Sequence, residues 1–186
     1  MSRLKESIVL IPISERREAI DRLLEGGGTN EAYDAIGELE GIETLETRDW
    51  RKDVDKYKCA WFVFKDDDWW AGRDDFDLRF WIDTRCYLEE RGYMKVDEPR
   101  DGDVVLYRYK GDLSESSWVK HFGIYYNGRV VSKFNDGHIF MHDLVTVPNS
   151  YGEGVIFMRK TERVALEVAR IRALIAQKLG RTQKTG

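Results

Sequence analysis

The sequence predicts an α+β protein in which helices pack on one antiparallel sheet. Two observations lead to this fold class. Residues 103–160 contain several short apolar runs separated by turns, whereas helical patterns lie before and after them. Two of the runs are joined by Asn127-Gly128, and Asn-Gly is the preferred two-residue hairpin turn because both positions need a positive φ. Strands that follow one another through such turns pair antiparallel.

The first fifty residues predict a helical lead-in. Residues 7–13 are strand-like, a charged helix is expected over 14–24, and the run Gly26-Gly27-Gly28 interrupts it. A second helix is expected over 30–39. We find no motif with chemical potential in this segment, so its function is not predicted.

The middle of the chain predicts helices first and strands afterwards. The apolar run 60–64 directly follows Cys59, which places that cysteine in the first turn of a buried helix. A further helix is expected over 76–91, because Gly92 is a typical helix-terminating residue. Strands are predicted at 103–109, on both sides of the Asn127-Gly128 turn, at 138–144 and at 154–160.

A last helix is predicted from Thr161 to Leu179. Its apolar residues recur at steps of three and four, which marks one face of a helix. These residues are Val164, Val168, Ile171, Ile175 and Leu179. We expect this face to dock on its own domain. The chain is therefore divided into a lead-in (1–50), a central domain (51–160) and a C-terminal helix with its tail (161–186).

Composition narrows the classes of function. The chain has 186 residues, 42% of them hydrophobic, with a net charge of −4. The chain has no excess of positive charge that would attract the phosphates of a nucleic acid, so no nucleic-acid partner is expected. The apolar run 8–13 is too short for a signal peptide, and no segment approaches the ~20 apolar residues that span a bilayer. We therefore expect no membrane partner and a cytoplasmic location, unless export occurs without a cleaved signal.

Cys59 and His121 form the strongest candidate for chemistry. A thiol becomes a nucleophile when a nearby imidazole or helix N-terminus favours its ionised form. Cys59 begins a predicted helix and His121 opens a predicted strand. A third polar residue commonly orients such an imidazole. Counting across the hairpin places His121 opposite Ser132 or Lys133, so both are candidates for that role.

The residues around this pair resemble the NlpC/P60-like papain-like cysteine hydrolases. That superfamily has a His-apolar-Gly-Ile-Tyr strand after a Gly-Asp-apolar strand, and the chain has His121-Phe122-Gly123-Ile124-Tyr125 after Gly102-Asp103-Val104-Val105. The resemblance covers residues 57–160, and shorter features such as YKCAWFVF and SKF are similar to a branch known mainly from bacterial sequences. It implies a papain-like fold with Cys59 as nucleophile, His121 as general base and Ser132 at the orienting position.

The resemblance also implies a reaction class. Such a site would hydrolyse a peptide, an isopeptide or another acyl substrate, or transfer its acyl group, through a Cys59–His121 thiolate–imidazolium pair and without a cofactor. The alternative is an inactive papain-like scaffold that binds a protein partner. The altered context Lys58-Cys59-Ala60-Trp61, in place of the Asp-Cys-Ser-Gly of the family, favours this alternative. Trp69 and Trp70 would line a substrate groove in the first case and a partner surface in the second.

Simpler interpretations accompany these candidates. Cys59 also fits a buried structural thiol, since free cysteine is among the most buried residue types. Cys86 is expected to pack against Ile82, one helical turn earlier. His138 and His142 are four residues apart, but no metal-binding motif supports a site there, so no metal is predicted. The acidic residues of 66–77 lack the spacing of a calcium loop and are expected to be solvated.

Overall fold

A computed structural model describes residues 12–25, 27–48, 59–64, 66, 88–109, 119–135 and 137–182. Within these ranges the protein contains four helices and one sheet of seven strands, and the α+β class is confirmed. The helices are α1 (Ile13–Glu25), α2 (Asn30–Gly37), α3 (Cys59–Phe64) and α4 (Thr161–Thr182). The strands are β1 (Ile42–Glu46), β2 (Met94–Val96), β3 (Val104–Arg108), β4 (Val119–Tyr126), β5 (Arg129–Lys133), β6 (Ile139–His142) and β7 (Gly154–Arg159).

All neighbouring strands of the sheet are antiparallel, in the order β1-β6-β5-β4-β3-β7-β2. The five strands from β3 to β7 were expected from their apolar runs. The two strands at the edges, β1 and β2, were not predicted. Both are short and carry charged residues, so the strand pattern is weak in them. The predicted strand over 7–13 and most of the predicted helix over 76–91 lie outside the described residues.

The β4–β5 hairpin turns at Asn127-Gly128, as predicted, and both residues have positive φ angles. Tyr126 pairs with Arg129, and the pairing continues to Gly123 and Ser132. His121 lies two residues before Gly123, so its position opposite is two residues after Ser132. The expectation that Ser132 or Lys133 lies opposite His121 is therefore wrong, because the correct count from this turn leads to Phe134.

Successive strand residues point to opposite faces of the sheet, and residues directly opposite each other share a face. The face that carries His121 and Ser132 is here called the lead-in face, because α1 and α2 pack there. Its cluster includes Ile20, Tyr33, Ile36, Val105, Tyr107, Val130, Phe134, Phe140, Val147 and Tyr151. The face that carries Phe122 and Lys133 is called the α3 face. Its cluster includes Cys59, Ala60, Phe62, Val63, Val104, Leu106, Phe122, Ile124, Val131, Ile139, Met141 and Ile171.

The lead-in helices are joined to the sheet by polar contacts as well as by apolar packing. Arg17 of α1 is buried, and its guanidinium donates to the carbonyl oxygens of Val147 at 3.0 Å and of Gly152 at 2.8 Å. The helix α2 begins at an N-cap, because the Thr29 hydroxyl accepts a hydrogen bond from the backbone N–H of Ala32. The segment over 12–46 therefore forms one structural unit with the sheet.

The helix α4 starts at the predicted residue Thr161 and continues to Thr182. Ile171 and Ile175 of the predicted apolar stripe pack on the α3 face of the sheet, together with Leu174, which the stripe did not include. The expectation that Leu179 docks with them is wrong, because this residue near the end of the helix is 60% exposed. Among the helices of the described ranges, none is long and apolar enough to cross a membrane.

Candidate active site

Cys59 is the first residue of α3, as the sequence predicted. It is a free thiol and is 7% exposed. Burial raises the pKa of the Cys59 thiol to about 11, although backbone N–H groups of Phe122 and Ala60 and the charge of Lys133 oppose this rise. The free thiol is therefore protonated at neutral pH, and its sulfur is held near the peptide group that joins His121 to Phe122.

His121 is fully buried on the lead-in face among three aromatic side chains. Its ring stacks on Tyr151 with 4.2 Å between ring centroids, and Tyr107 and Phe134 lie at 5.6 and 5.7 Å. Within the part of the chain that the structure describes, neither ring nitrogen has a hydrogen-bond partner. Burial, and secondly the proximity of His142, lower the pKa of His121 well below 6.5. The imidazole is therefore neutral.

Cys59 of α3 contacts the strand β4 that carries His121, but the thiol and the imidazole do not form a direct hydrogen bond. The thiol accepts from the backbone N–H of Phe122, the residue directly after His121. Because side chains alternate along β4, the His121 ring projects to the lead-in face, whereas Phe122 and Cys59 pack on the α3 face. In this geometry both groups are neutral, so a thiolate–imidazolium pair is not the resting state.

Ser132 binds His142 instead of His121. The Ser132 Oγ atom lies 2.8 Å from Nε2 of His142, and Nδ1 of His142 lies 2.9 Å from the backbone carbonyl oxygen of Asp143. A carbonyl oxygen only accepts, so Nδ1 carries the proton of the neutral ring and Nε2 accepts from the Ser132 hydroxyl. Both side chains are fully buried, and burial lowers the pKa of His142 to about 4.

His142 was not predicted as a partner of Ser132. His142 was expected only as part of the predicted strand at 138–144, and it is the last residue of β6. It pairs with Val130, which lies two residues before Ser132 on β5. The β5–β6 connection is longer than a two-residue turn, so its register could not be counted from the sequence.

We expect Ser132→Ala to change the environment of His142 and to leave that of His121 nearly unchanged. The substitution removes the donor to His142 Nε2 and is expected to lower the free energy of unfolding by about 1–2 kcal/mol. The 15N chemical shifts of the histidine rings and a urea titration check this. Ser132→Thr keeps the hydroxyl and serves as the matched control. A perturbation of His121 larger than that of His142 would contradict the geometry.

Three charged residues of α4 hold the carboxyl end of α3. Arg163 donates to the carbonyl oxygen of Val63, and Arg170 donates to that of Phe62 at 2.6 Å. Both arginines also contact the carboxylate of Glu167. Burial raises the pKa of Glu167 despite these two cations, since its side chain is fully enclosed. This network fixes the helix that begins with Cys59.

The remaining candidate residues either form contacts that fit a structural role or lie outside the described ranges. The His138 ring accepts from the backbone N–H of Arg48 at 3.1 Å and lies 3.1 Å from Asp34. Asp66 faces Arg170 at 3.8 Å. The other residues of the acidic segment 67–77, together with Cys86, Trp69 and Trp70, are not among the described residues. Across the ranges that are described, no group of three His, Cys, Asp or Glu side chains is placed to hold a metal ion.

No family model, curated protein or solved structure matches this chain.

Proposed function

We propose that this protein is a cysteine hydrolase with an NlpC/P60-like, papain-like arrangement, acting on a peptide, an isopeptide or another acyl substrate. Cys59 is the proposed nucleophile and His121 the proposed general base. The proposal includes acyl transfer, which uses the same two residues, and a cytoplasmic location. It requires no metal or cofactor.

The observation that carries the proposal is the state of His121. Among the described residues no group bonds to either nitrogen of the fully buried His121 ring, and a buried polar group in this state is costly and calls for an explanation. The next residue, Phe122, supplies the backbone N–H that binds the Cys59 thiol. Within the described residues neither ring nitrogen is engaged in a hydrogen bond, so one of them can receive the thiol proton once the substrate compensates the charge that forms, which is the role proposed for His121.

The proposed reaction starts from the neutral thiol and the neutral imidazole. The reaction requires a displacement of β4 or of the first turn of α3, because the His121 ring and the Cys59 thiol lie on opposite faces of the sheet in the resting protein. We propose that substrate binding brings the sulfur to a ring nitrogen, since catalytic hydrogen bonds often form only in the substrate complex. His121 takes the thiol proton while the sulfur attacks the carbonyl carbon. The proposed donors to the oxyanion are the backbone N–H groups of Phe122 and Ala60, which hold the sulfur in the resting protein. His121 then returns the proton to the leaving group, and water releases the acyl group from the thioester.

One observation favours the alternative, an inactive scaffold that binds a protein partner. The hydroxyl of Ser132 bonds to His142, so it does not orient His121. An imidazole without an orienting partner is a weaker base in hydrolases of this type. In this alternative Cys59 is a packing residue of the α3 face.

An acyl-enzyme experiment separates the two functions. The protein is incubated with p-nitrophenyl acetate, and hydrolysis is followed together with the mass of the peptide that contains Cys59. We expect an acetyl adduct at Cys59 with turnover, loss of both in Cys59→Ala, and a slower reaction in His121→Gln. His138→Gln is the matched histidine control and is expected to react normally. Turnover that persists in Cys59→Ala, or a folded wild type without any adduct, would refute the hydrolase.

A further inference from the structure

Lys133 is a fully buried lysine on the α3 face of the sheet, and the proposed reaction gives it no role. It is the last residue of β5, and Ile139 lies directly opposite it on β6. Val131, two residues earlier on β5, points to the same face. Both Val131 and Ile139 pack in the cluster that contains Cys59. The lysine side chain therefore enters the layer that holds the thiol.

The strand register places Lys133 beside the hydrogen bond of the thiol. The last pair recorded between β4 and β5 joins Gly123 and Ser132, so the next position sets Phe122 opposite Lys133. The backbone N–H of Phe122 is the group that donates to Cys59. The Cys59 thiol on α3 and the Lys133 side chain on β5 thus both lie next to Phe122.

We propose that Lys133 is a positioning residue whose ammonium group stabilises the thiolate form of Cys59. A nearby cation favours the ionised form of a thiol, and the burial of both side chains leaves little water to screen the interaction between them. The inference rests on the proposed function for its use in turnover. In this proposal Lys133 acts electrostatically on Cys59, whereas the sequence suggested it as an alternative to Ser132 for orienting His121.

Other titratable or charged groups of the described residues also face Cys59 or its helix. His121 lies beside it on β4, and Tyr151 approaches from the 3-10 turn over 149–151. The α4 residues Arg163, Glu167 and Arg170 contact the opposite, carboxyl end of α3. A test must therefore isolate the charge of Lys133 from these groups.

The first test follows the alkylation of Cys59 by iodoacetamide from pH 6 to 10, with the modified residue located by mass spectrometry. Lys133→Met removes the charge and keeps the length of the side chain, whereas Lys133→Arg keeps the charge. Removing a cation raises the pKa of a thiol, so we expect labelling at pH 8 to be about tenfold slower in Lys133→Met and close to wild type in Lys133→Arg. Coincident profiles for wild type and a folded Lys133→Met would overturn the proposal.

The second test needs no variant, so it applies even if Lys133→Met does not fold. A cation beside the sulfur favours an anionic reagent over a neutral one. The ratio of the iodoacetate rate to the iodoacetamide rate is therefore expected to be severalfold higher at Cys59 than for free cysteine. A ratio equal to or below that of free cysteine would overturn the proposal. Neither test requires turnover, so a failed acyl-enzyme experiment would remove the hydrolase without deciding the role of Lys133.

Discussion

Acidification from pH 7 to pH 5 is expected to destabilise the fold by about 4 kcal/mol, through protonation of two histidines in the unfolded state. His121 and His142 are fully buried and neutral in the folded protein. Burial lowers the pKa of His142 to about 4 and that of His121 well below its usual value of 6.5. Below pH 6.5 the unfolded chain therefore binds protons that the folded chain does not bind. The stability is present above pH 6.5 and is lost as the pH falls below it.

Urea unfolding at pH 5, 6, 7 and 8 measures this loss. Each buried histidine contributes up to about 1.4 kcal/mol per pH unit below pH 6.5. The variants His121→Gln and His142→Gln are each expected to reduce the slope by about half, whatever their stability at pH 8. His138→Gln replaces the histidine outside this buried pair and serves as the control. Equal stability of the wild type at pH 5 and pH 7 would contradict this prediction, because it would show that both rings take up a proton in the folded protein as they do in the unfolded chain.

The sheet could be predicted from the sequence where apolar runs alternate with strong turns. The strands β3 to β7 meet this condition, and the antiparallel pairing followed from it. The edge strand β1 was missed because Glu43 and Glu46 interrupt its apolar pattern, although Leu45 is buried. An edge strand tolerates such charges because part of it faces solvent.

The candidate site could be predicted only in part. Helix α3 and the strand of His121 lie where their local patterns place them, because those patterns depend on neighbouring residues. The partner of Ser132 depends on the β5–β6 register, which no short turn fixes. The local sequence therefore does not identify His142 as the partner of Ser132.

The buried charges of α4 could not be predicted from the sequence. The apolar stripe of α4 indicated which side of the helix docks, but it predicted nothing about the charged residues of the helix. Arg163 and Glu167 are instead buried against α3, one helical turn apart. A periodic pattern of apolar residues counts every charged residue as polar. It therefore cannot show that two oppositely charged side chains are buried together and bind backbone carbonyl groups.

The buried network of α4 leads to the second large prediction. Arg163→Met is expected to lower the free energy of unfolding by about 3–5 kcal/mol, since removal of one member of a buried ion pair leaves its partners uncompensated. Those partners are the Tyr93 hydroxyl, the Val63 carbonyl and the Glu167 carboxylate. Arg172→Met makes the same substitution on an exposed residue of the same helix, and we expect a change within about 0.5 kcal/mol.

A double-mutant cycle tests whether the cost arises from the uncompensated charge. Arg163→Met combined with Glu167→Leu removes both charges, so the double variant is expected to be more stable than the sum of the two single losses predicts. Urea unfolding followed by circular dichroism gives the four free energies. Additive losses would mean that the two side chains act independently on α3. A coupled loss would mean that the ion pair of α4 holds the helix that carries Cys59, and the packing of the candidate nucleophile would then depend on two charges that lie outside the site itself.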